Sequence, residues 1–486
     1  MRKKSLLLLL VVVTSVSVLV GVSACSGARK NFGVEKSDYP ISVVSDNSVY
    51  TLLEEVSSYT DRYYASAGSY SAANYLSVKL QSYGLEPLKV NGFDMKYVMA
   101  QPLSDGTSEI IGADAFKADT DITSQRQKSD SLNLYFRRPA DTDKPLGTVI
   151  ISAHYDNLFG CEIGRHTVSA TGAYDNAAAV AVLLDTASKM RGATCDYDII
   201  FSLLSASTVV ENGSVYYGWY GASRMYSTLE RLDMAQDISL AINLWRLGGG
   251  KNNYMYSYDK ATSYNNLFYE VAHANSLDFT AVPEYKRAFS ADYAVTVSGR
   301  LGTPTGSLHI GMLNDSLVSM NKGVPTLTYL SLDWSDVSNP GYTEHAGFSN
   351  CALTDADTLE NMVLISGGGE IGKQAVADKL NAVSANIIYT LCDNAALLSD
   401  ALNSADKELE SLSSVTSALY YTGLGIMIAA IVGLIAAYVV VNRKNAARLA
   451  SAGRNTPPPP KSGNVAGGGS PFEEYEDNGK IFEDFD

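Results

Sequence analysis

The run Thr148-Val149-Ile150-Ile151-Ser152-Ala153 constrains this chain more than any other feature. It is short and almost continuously apolar, with Pro145-Leu146-Gly147 before it and His154-Tyr155-Asp156 after it. A half-exposed strand would alternate apolar and polar residues. A strand apolar on both faces must be covered on both, as parallel strands are by their crossover helices. The downstream pattern agrees. Residues 176–190 read as a helix rich in Ala, Val and Leu, 199–204 as a strand, 220–232 as a helix and 238–244 as a strand. Gly323-Val324-Pro325 leads into a further strand over 326–332, and helices from Asp357 to about Val383 close the domain. Strands alternating with helices predict an α/β fold with a mostly parallel, doubly wound sheet flanked by helices.

Upstream, Leu52, Leu53, Val56 and Tyr59 recur at helical spacing, and a second helix is expected over 71–84, ending on Gly84. Alternating segments follow at 95–99 and 132–136. Residues 26–45 read as a polar stalk and 46–415 as the main domain. Within it, about 250–310 is rich in Tyr, Asn, Ser and Ala, breaks the rhythm, and is expected to be an insertion over one end of the sheet.

The ends set an expected topology. Arg2, Lys3 and Lys4 precede an apolar run to Val22 and the small residues Ser23 and Ala24, the order of a secretory signal over 1–25. Val22-Ser23-Ala24-Cys25 also reads as a lipobox, with ordinary cleavage nearby or a retained anchor as alternatives. Residues 418–441 carry no charge and, as a helix, would span about 36 Å, enough to cross a bilayer core. A buried core helix is the alternative. Arg443, Lys444 and Arg448 follow, so the expectation is a single-pass protein of the cell membrane, its main domain extracytoplasmic and its C-terminus cytoplasmic. Residues 442–486 form an acidic tail, disordered alone, in which Phe472, Tyr475, Phe482 and Phe485 are spaced by acids. It reads as a docking segment for a cytoplasmic protein partner, or as a solubilising tail. A net charge of −15 argues against nucleic acid. Cys161, Cys195, Cys351 and Cys392 show no CxxC spacing and leave any disulfide pattern open.

Two groups bear on chemistry. His154 and Asp156 stand at i and i+2 at the C-terminal end of a buried strand, where open α/β sheets place their sites. A carboxylate there can hold one imidazole nitrogen so that the other faces a metal. About twenty residues on, Gly172-Ala173-Tyr174-Asp175-Asn176-Ala177 puts Asp175 at the mouth of an alanine-rich helix. With these motifs, with Ser71-Ala72-Ala73-Asn74-Tyr75-Leu76, and with Thr354-Asp355-Ala356-Asp357-Thr358-Leu359, the chain resembles the co-catalytic zinc aminopeptidase family, metallopeptidase family twenty-eight. That family includes glutaminyl cyclases and the membrane relatives nicastrin and nicalin. The resemblance implies a sheet between helices and two zinc ions, with His154 a ligand, Asp175 the bridging carboxylate and Asp156 the group orienting the histidine.

The rest of the implied site is replaced. Two adjacent glutamates, general base and ligand, are expected where Ser207 and Thr208 stand. An Asp is expected at Trp245 and a His at Leu353, and an upstream Asp-His pair reads Asp315-Ser316. Zinc needs about three protein ligands plus water for catalysis, and His154 and Asp175 supply two. The expectation is therefore a membrane-anchored pseudopeptidase, similar in kind to nicalin or nicastrin. It would need no cofactor and would bind a peptide or protein partner in a remnant cleft lined by tyrosines and Trp245. The alternative is an active cell-surface zinc aminopeptidase rebuilt with Glu211, inside the longer 208–218 segment, and His345, beside Glu344. A third reading is acyl transfer of the glutaminyl-cyclase kind.

Overall fold

The Thr148–His154 strand is buried at every position, as its composition demands, and lies within an eight-stranded sheet. The computed structural model describes residues 31–38, 48–64, 66–118, 130–163, 166–211, 214–257, 262–281, 314–332, 352, 354–404, 438 and 440–444. In chain order the strands used below are β1 (Glu86–Pro87), β2 (Ala113–Phe116), β3 (Ser131–Arg138), β4 (Thr148–His154) and β5 (Asp198–Leu204). They continue with β6 (Thr208–Glu211), β7 (Ser214–Tyr217), β8 (Ile238–Leu244), β9 (Asn252–Tyr256) and β10 (Thr326–Leu332). The helices are α1 (Ser48–Ser58), α2 (Ala67–Ser82), α3 (Ala178–Lys189) and α4 (Tyr220–Arg231), then α5 (Thr262–Ala274), α6 (Ser316–Asn321), α7 (Leu359–Ile365) and α8 (Gly369–Ile388).

The sheet order is β1-β3-β5-β4-β8-β10-β9, with β2 also paired to β3, and the expectation of a mostly parallel sheet is corrected. Only the β5–β4, β4–β8 and β8–β10 pairs are parallel. On one flank β1, β2 and β3 pair antiparallel, and on the other β9 does. Connection length is the reason. A parallel crossover takes roughly a dozen residues or more, whereas 139–147 joins β3 to β4 and 245–251 joins β8 to β9. Both links can only reverse the chain.

Strand alternation divides the core between the two faces. Val149, Ile151, Ala153, Ile199, Phe201, Leu203, Ile242 and Leu327 enter one cluster, covered by α1, α2, α3, α5 and α8. Ile150, Ile200, Leu204 and Tyr135 face the other way, onto Ala222, Met225, Tyr226 and Leu229 of α4. Helix α3 is the most deeply placed: Ala178 to Leu184 are fully buried, and it packs between the sheet and helices α1 and α8.

Part of the stretch expected to be an insertion is described. Residues 252–256 supply edge strand β9, and α5 buries Tyr264, Leu267, Phe268 and Val271 in the main core. Residues 31–38, expected within a stalk, lie along the domain. The amide of Phe32 donates to Glu270 Oε2 at 2.9 Å, and that of Ser37 to Asn275 Oδ1 at 2.8 Å.

The chain divides into two units, Met1–Ser411 and Leu412–Asp486. Among the described residues no helix is long and apolar enough to cross a membrane. The longest, α8, carries Glu370, Lys373, Asp378 and Lys379 along its 20 residues. The expected transmembrane helix, the cell-membrane localisation and the membrane-anchored function are corrected accordingly. The 418–441 segment lies outside the described residues apart from Tyr438, Val440 and Val441, as do 1–25 and the tail residues Phe472, Tyr475, Phe482 and Phe485.

The contact between α4 and the sheet has no room for a side chain at Gly221. A Cβ there would sit 2.3 Å from the Ser205 carbonyl oxygen and 2.9 Å from Asn133 Oδ1. Asn133 is buried and bridges both elements, donating to the Gly221 carbonyl at 2.8 Å and accepting from the Ser205 amide at 3.0 Å. Gly221→Ala is expected to destabilise the domain by about 1–3 kcal/mol, measured by urea denaturation. An unchanged midpoint would show that α4 docks more loosely than these contacts require.

Candidate functional site

The parallel strands β4, β5, β8 and β10 all end on one side of the sheet, and the charged residues of the core collect there. His154 is the last residue of β4, and Asp156 follows two residues on. Asp175 comes from an irregular turn at 173–177 whose backbone is not helical at Asp175 and Asn176. Gly172 makes this turn possible. Its φ is +63°, and a Cβ would lie 2.8 Å from the Asp175 carbonyl oxygen and 2.9 Å from Asn157 Cβ. Asn176 ties the turn to two strands, its Nδ2 donating to the carbonyls of His154 (3.3 Å) and Leu244 (3.1 Å). Opposite, its Oδ1 accepts the Arg246 amide at 2.9 Å.

His154 is clamped between carboxylates: Nδ1 is 3.3 Å from Asp156 Oδ1, and Nε2 is 3.2 Å from Asp175 Oδ1. Burial disfavours the imidazolium, but Asp156 and Asp175 outweigh it and raise the pKa to about 10. Asp175 meets a second cation. Arg246 brings Nη2 to 3.2 Å and Nε to 3.3 Å from Asp175 Oδ2. Burial pushes the Asp175 carboxyl up, yet Arg246 and His154 together hold it down at about 2. Arg246 is buried, adopts a left-handed φ of 49°, and lies over the Trp245 ring at 4.4 Å.

Two further acids complete the cluster. Asp357 precedes the Thr358 N-cap of α7 and accepts the amides of Tyr174 (2.7 Å) and Asp175 (3.0 Å). Burial, then the nearby Asp175 charge, raise its pKa to about 7. Asp315 accepts both bonds of the Ser207 hydroxyl, at 3.1 and 3.0 Å, and burial raises it to about 6. Arg62 is wholly buried behind them, its guanidinium donating to the carbonyls of Tyr155 (2.8 Å), Tyr59 (2.8 Å), Val56 (3.2 Å) and Gly172 (3.1 Å).

The structure thus brings His154, Asp156, Asp175, Ser207, Thr208 and Trp245 to one place. Ser207 and Thr208 point their amides toward Asp156 Oδ1 and Oδ2, each at 3.4 Å. Trp245 is 1 % exposed, so it fills the floor and lines no open cleft, a correction to its expected place. Leu353, Glu344 and His345 lie outside the described residues. The 208–218 segment is the hairpin β6–β7, in which Thr208 pairs with Tyr217 at the base and Glu211 with Ser214 at the far end. Three residues of strand carry the Glu211 backbone about 10 Å from Thr208. Arg62, Arg246 and Asp357 were not singled out from the sequence as site residues. The one available signal was Arg246 itself, a cation beside the Trp that replaces an expected acid.

These residues do not fit the zinc pair that the resemblance implies. Among the described residues no group of three or more His, Cys, Asp or Glu side chains could hold a metal ion. The resemblance implies zinc ligands where Thr208 and Trp245 stand, and a hydroxyl and a donor-only indole cannot replace carboxylates there. Arg246 already neutralises Asp175.

A mixed sheet between helices, with a His–Asp–Asp remnant at its strand ends, defines an α/β metallopeptidase fold whose metal-binding cluster is degraded. The model of peptidase family M28 matches residues 133–365, and the domain has an M28-like fold. Among solved structures the chain is similar to a glutaminyl cyclase of Porphyromonas gingivalis, with 16% identity and a TM-score of 0.45, covering 72% of this chain and 98% of that one. It is also similar to a Zn-dependent exopeptidase of Parabacteroides distasonis, with 14% identity, a TM-score of 0.43, and 72% and 98% of the two chains covered. A zinc aminopeptidase of Bacillus subtilis shares 13% identity, with a TM-score of 0.43 and coverage of 73% and 96%. No curated protein matches the chain.

Two outcomes follow from the charge arrangement. Arg246→Ala leaves Asp175 with His154 as its sole cation and is expected to destabilise by roughly 3–5 kcal/mol, read from urea midpoints. Loss below about 1 kcal/mol would mean that the ion pair is dispensable. Asp315 sets a pH dependence. Its folded pKa of about 6 lies above the ordinary 3.8, so the stability held in its protonated form is complete below pH 3.8 and is lost as pH rises through 6. A shift of about two units corresponds to about 3 kcal/mol. In Asp315→Asn the fall in unfolding free energy between pH 4 and pH 7 should shrink by that amount, and an unaltered slope would remove Asp315 from the account.

Proposed function

We propose that this domain is a pseudopeptidase: a peptidase fold that binds a peptide or protein partner and does not hydrolyse it. The observation that carries the reading is the Arg246 guanidinium against Asp175, at 3.2 Å. Asp175 is the carboxylate that the resemblance assigns to bridging two zinc ions, and a fixed protein cation stands against it. Two further features support the reading. Ser207, in the place of the general base, spends its hydroxyl as a donor to Asp315. A serine hydroxyl of ordinary acidity cannot accept a proton from water as a carboxylate does. Trp245, in the place of a ligand, is buried and offers only a donor N–H.

A finer kinship in kind with nicalin and nicastrin, where a peptidase fold serves binding, belongs to this proposal. So does a docking role for the aromatic residues Phe472, Tyr475, Phe482 and Phe485 in the acidic tail, toward a partner with a basic, apolar groove.

The test is metal content together with hydrolysis. The purified full chain, dialysed against zinc, should hold less than one zinc per chain, and a chelator should leave its Tm unchanged. Loss of a positioned base costs about 10²–10⁴ in rate, and loss of activated water adds to this, so aminoacyl and peptide substrates should turn over at background. Two zinc ions per chain, or hydrolysis abolished by chelator and by Glu211→Gln, would overturn the proposal.

A further inference from the structure

A pair of cysteines lies far from the strand-end cluster. Cys195 sits in the loop before β5 and is 1 % exposed. Cys392 lies in the turn 389–393 that continues α8, partly exposed and packed against the main core. The two side chains are in hydrogen-bond contact with each other. Both are thiols here.

The backbone around them is held in register from both sides. Arg138 donates to the Ala193 carbonyl and, at 2.7 Å, to Asp141 Oδ2. That same oxygen accepts the Cys195 amide at 2.9 Å, while the Asp141 amide donates to the Cys195 carbonyl at 2.9 Å. Two bonds then cross to the helix end: Cys195 Sγ to the Leu391 carbonyl at 3.4 Å, and the Tyr197 hydroxyl to the Ala395 carbonyl at 3.4 Å. These bonds set Cys195 Sγ beside the backbone of the residue that precedes Cys392.

We propose that Cys195 and Cys392 form a reversible intrachain disulfide, made by exchange with a small-molecule disulfide, that fastens the end of α8 to the loop before β5. Access assigns the first step to Cys392; the Cys195 contact and burial hold its pKa well above that of a free thiol, so this step limits the rate. Its thiolate attacks one sulfur of the small disulfide, whose S–S bond breaks, and the departing thiolate takes up the Cys392 proton. Cys195 then attacks Cys392 Sγ, forming the intrachain S–S bond and breaking the mixed one. The second small thiolate leaves with the Cys195 proton. Two protein thiols are oxidised and one small disulfide is reduced to two thiols. The contact with Cys392, and the nearby Arg138 charge, lower the Cys195 pKa and favour the thiolate that the second step needs.

The test uses the full chain with oxidised glutathione, then alkylation and peptide mapping. Cys195 and Cys392 should lose alkylation together and appear as one linked peptide pair, with Cys161 still alkylated. In Cys195→Ser the reaction should stop at glutathione bound to Cys392. In Cys392→Ser the buried Cys195 should stay a thiol. Oxidation should raise the parent's Tm by about 5 °C, since the bond closes a loop of nearly two hundred residues, and should not do so in Cys195→Ser. Survival of both thiols, stable glutathione on Cys392 in the parent, or pairing of either with another cysteine would overturn the proposal.

Discussion

A carboxylate buried at the ends of parallel strands must be neutralised, and the site is organised around how Asp175 meets that requirement. Its two oxygens face different cations, Oδ1 toward His154 and Oδ2 toward Arg246. His154 is then available to Asp156 through its other nitrogen, and Asp156 in turn lies within reach of the Ser207 and Thr208 amides. Asp357 grips the turn that carries Asp175 through the amides of Tyr174 and Asp175 itself. In the family that the chain resembles, zinc would hold such a set together. Here two side-chain cations, His154 and Arg246, face Asp175 instead, and burial makes Asp315 and Asp357 bind protons more tightly than carboxylates ordinarily do.

A side-chain cation differs from a metal in consequence as well as in chemistry. At 3.2 Å and an effective dielectric near 20, the Arg246–Asp175 attraction is on the order of 5 kcal/mol. Desolvating both charges costs several kcal/mol each, so the pair is close to neutral for stability and strongly penalises loss of either partner. It also fixes geometry. Arg246 takes a left-handed backbone conformation, as does Ala206 just past β5, a cost of roughly 1–2 kcal/mol per residue. Such turns hold the loops beyond β5 and β8 in one arrangement.

The fold was legible where burial writes itself into composition. The β4 run, the helix at 178–189 and the helical spacing of Leu52, Leu53 and Val56 all lie where the pattern places them. Strand direction was not legible, because apolar pattern reports burial and not polarity of the chain; the short links before β4 and after β8 carried that information. Strand β9 was hidden for a different reason. Asn-Asn-Tyr-Met-Tyr has no β-branched residue, and its polar look comes from hydroxyls and amides that find partners, such as Asn253 Nδ2 on the Lys379 carbonyl at 2.9 Å. At the site, the motif residues His154, Asp156 and Asp175 were readable and their surroundings were not. A buried arginine such as Arg62 or Arg246 looks in sequence like any surface arginine, since only the fold brings its carbonyls or carboxylate to it.

The way residues 31–38 lie along the domain has a mechanical meaning. Phe32 and Ser37 are held by Glu270 and Asn275 of the α5 region, and the Ser37 hydroxyl also reaches Asp393 at the end of α8. The entering segment and the last long helix are thus stapled side by side. Tension applied between them would load these few polar contacts first and open them one after another, as a zipper opens. The β4–β5 and β4–β8 ladders lie outside that line of force, so a pull on the two ends would peel the edge of the domain before it sheared the sheet.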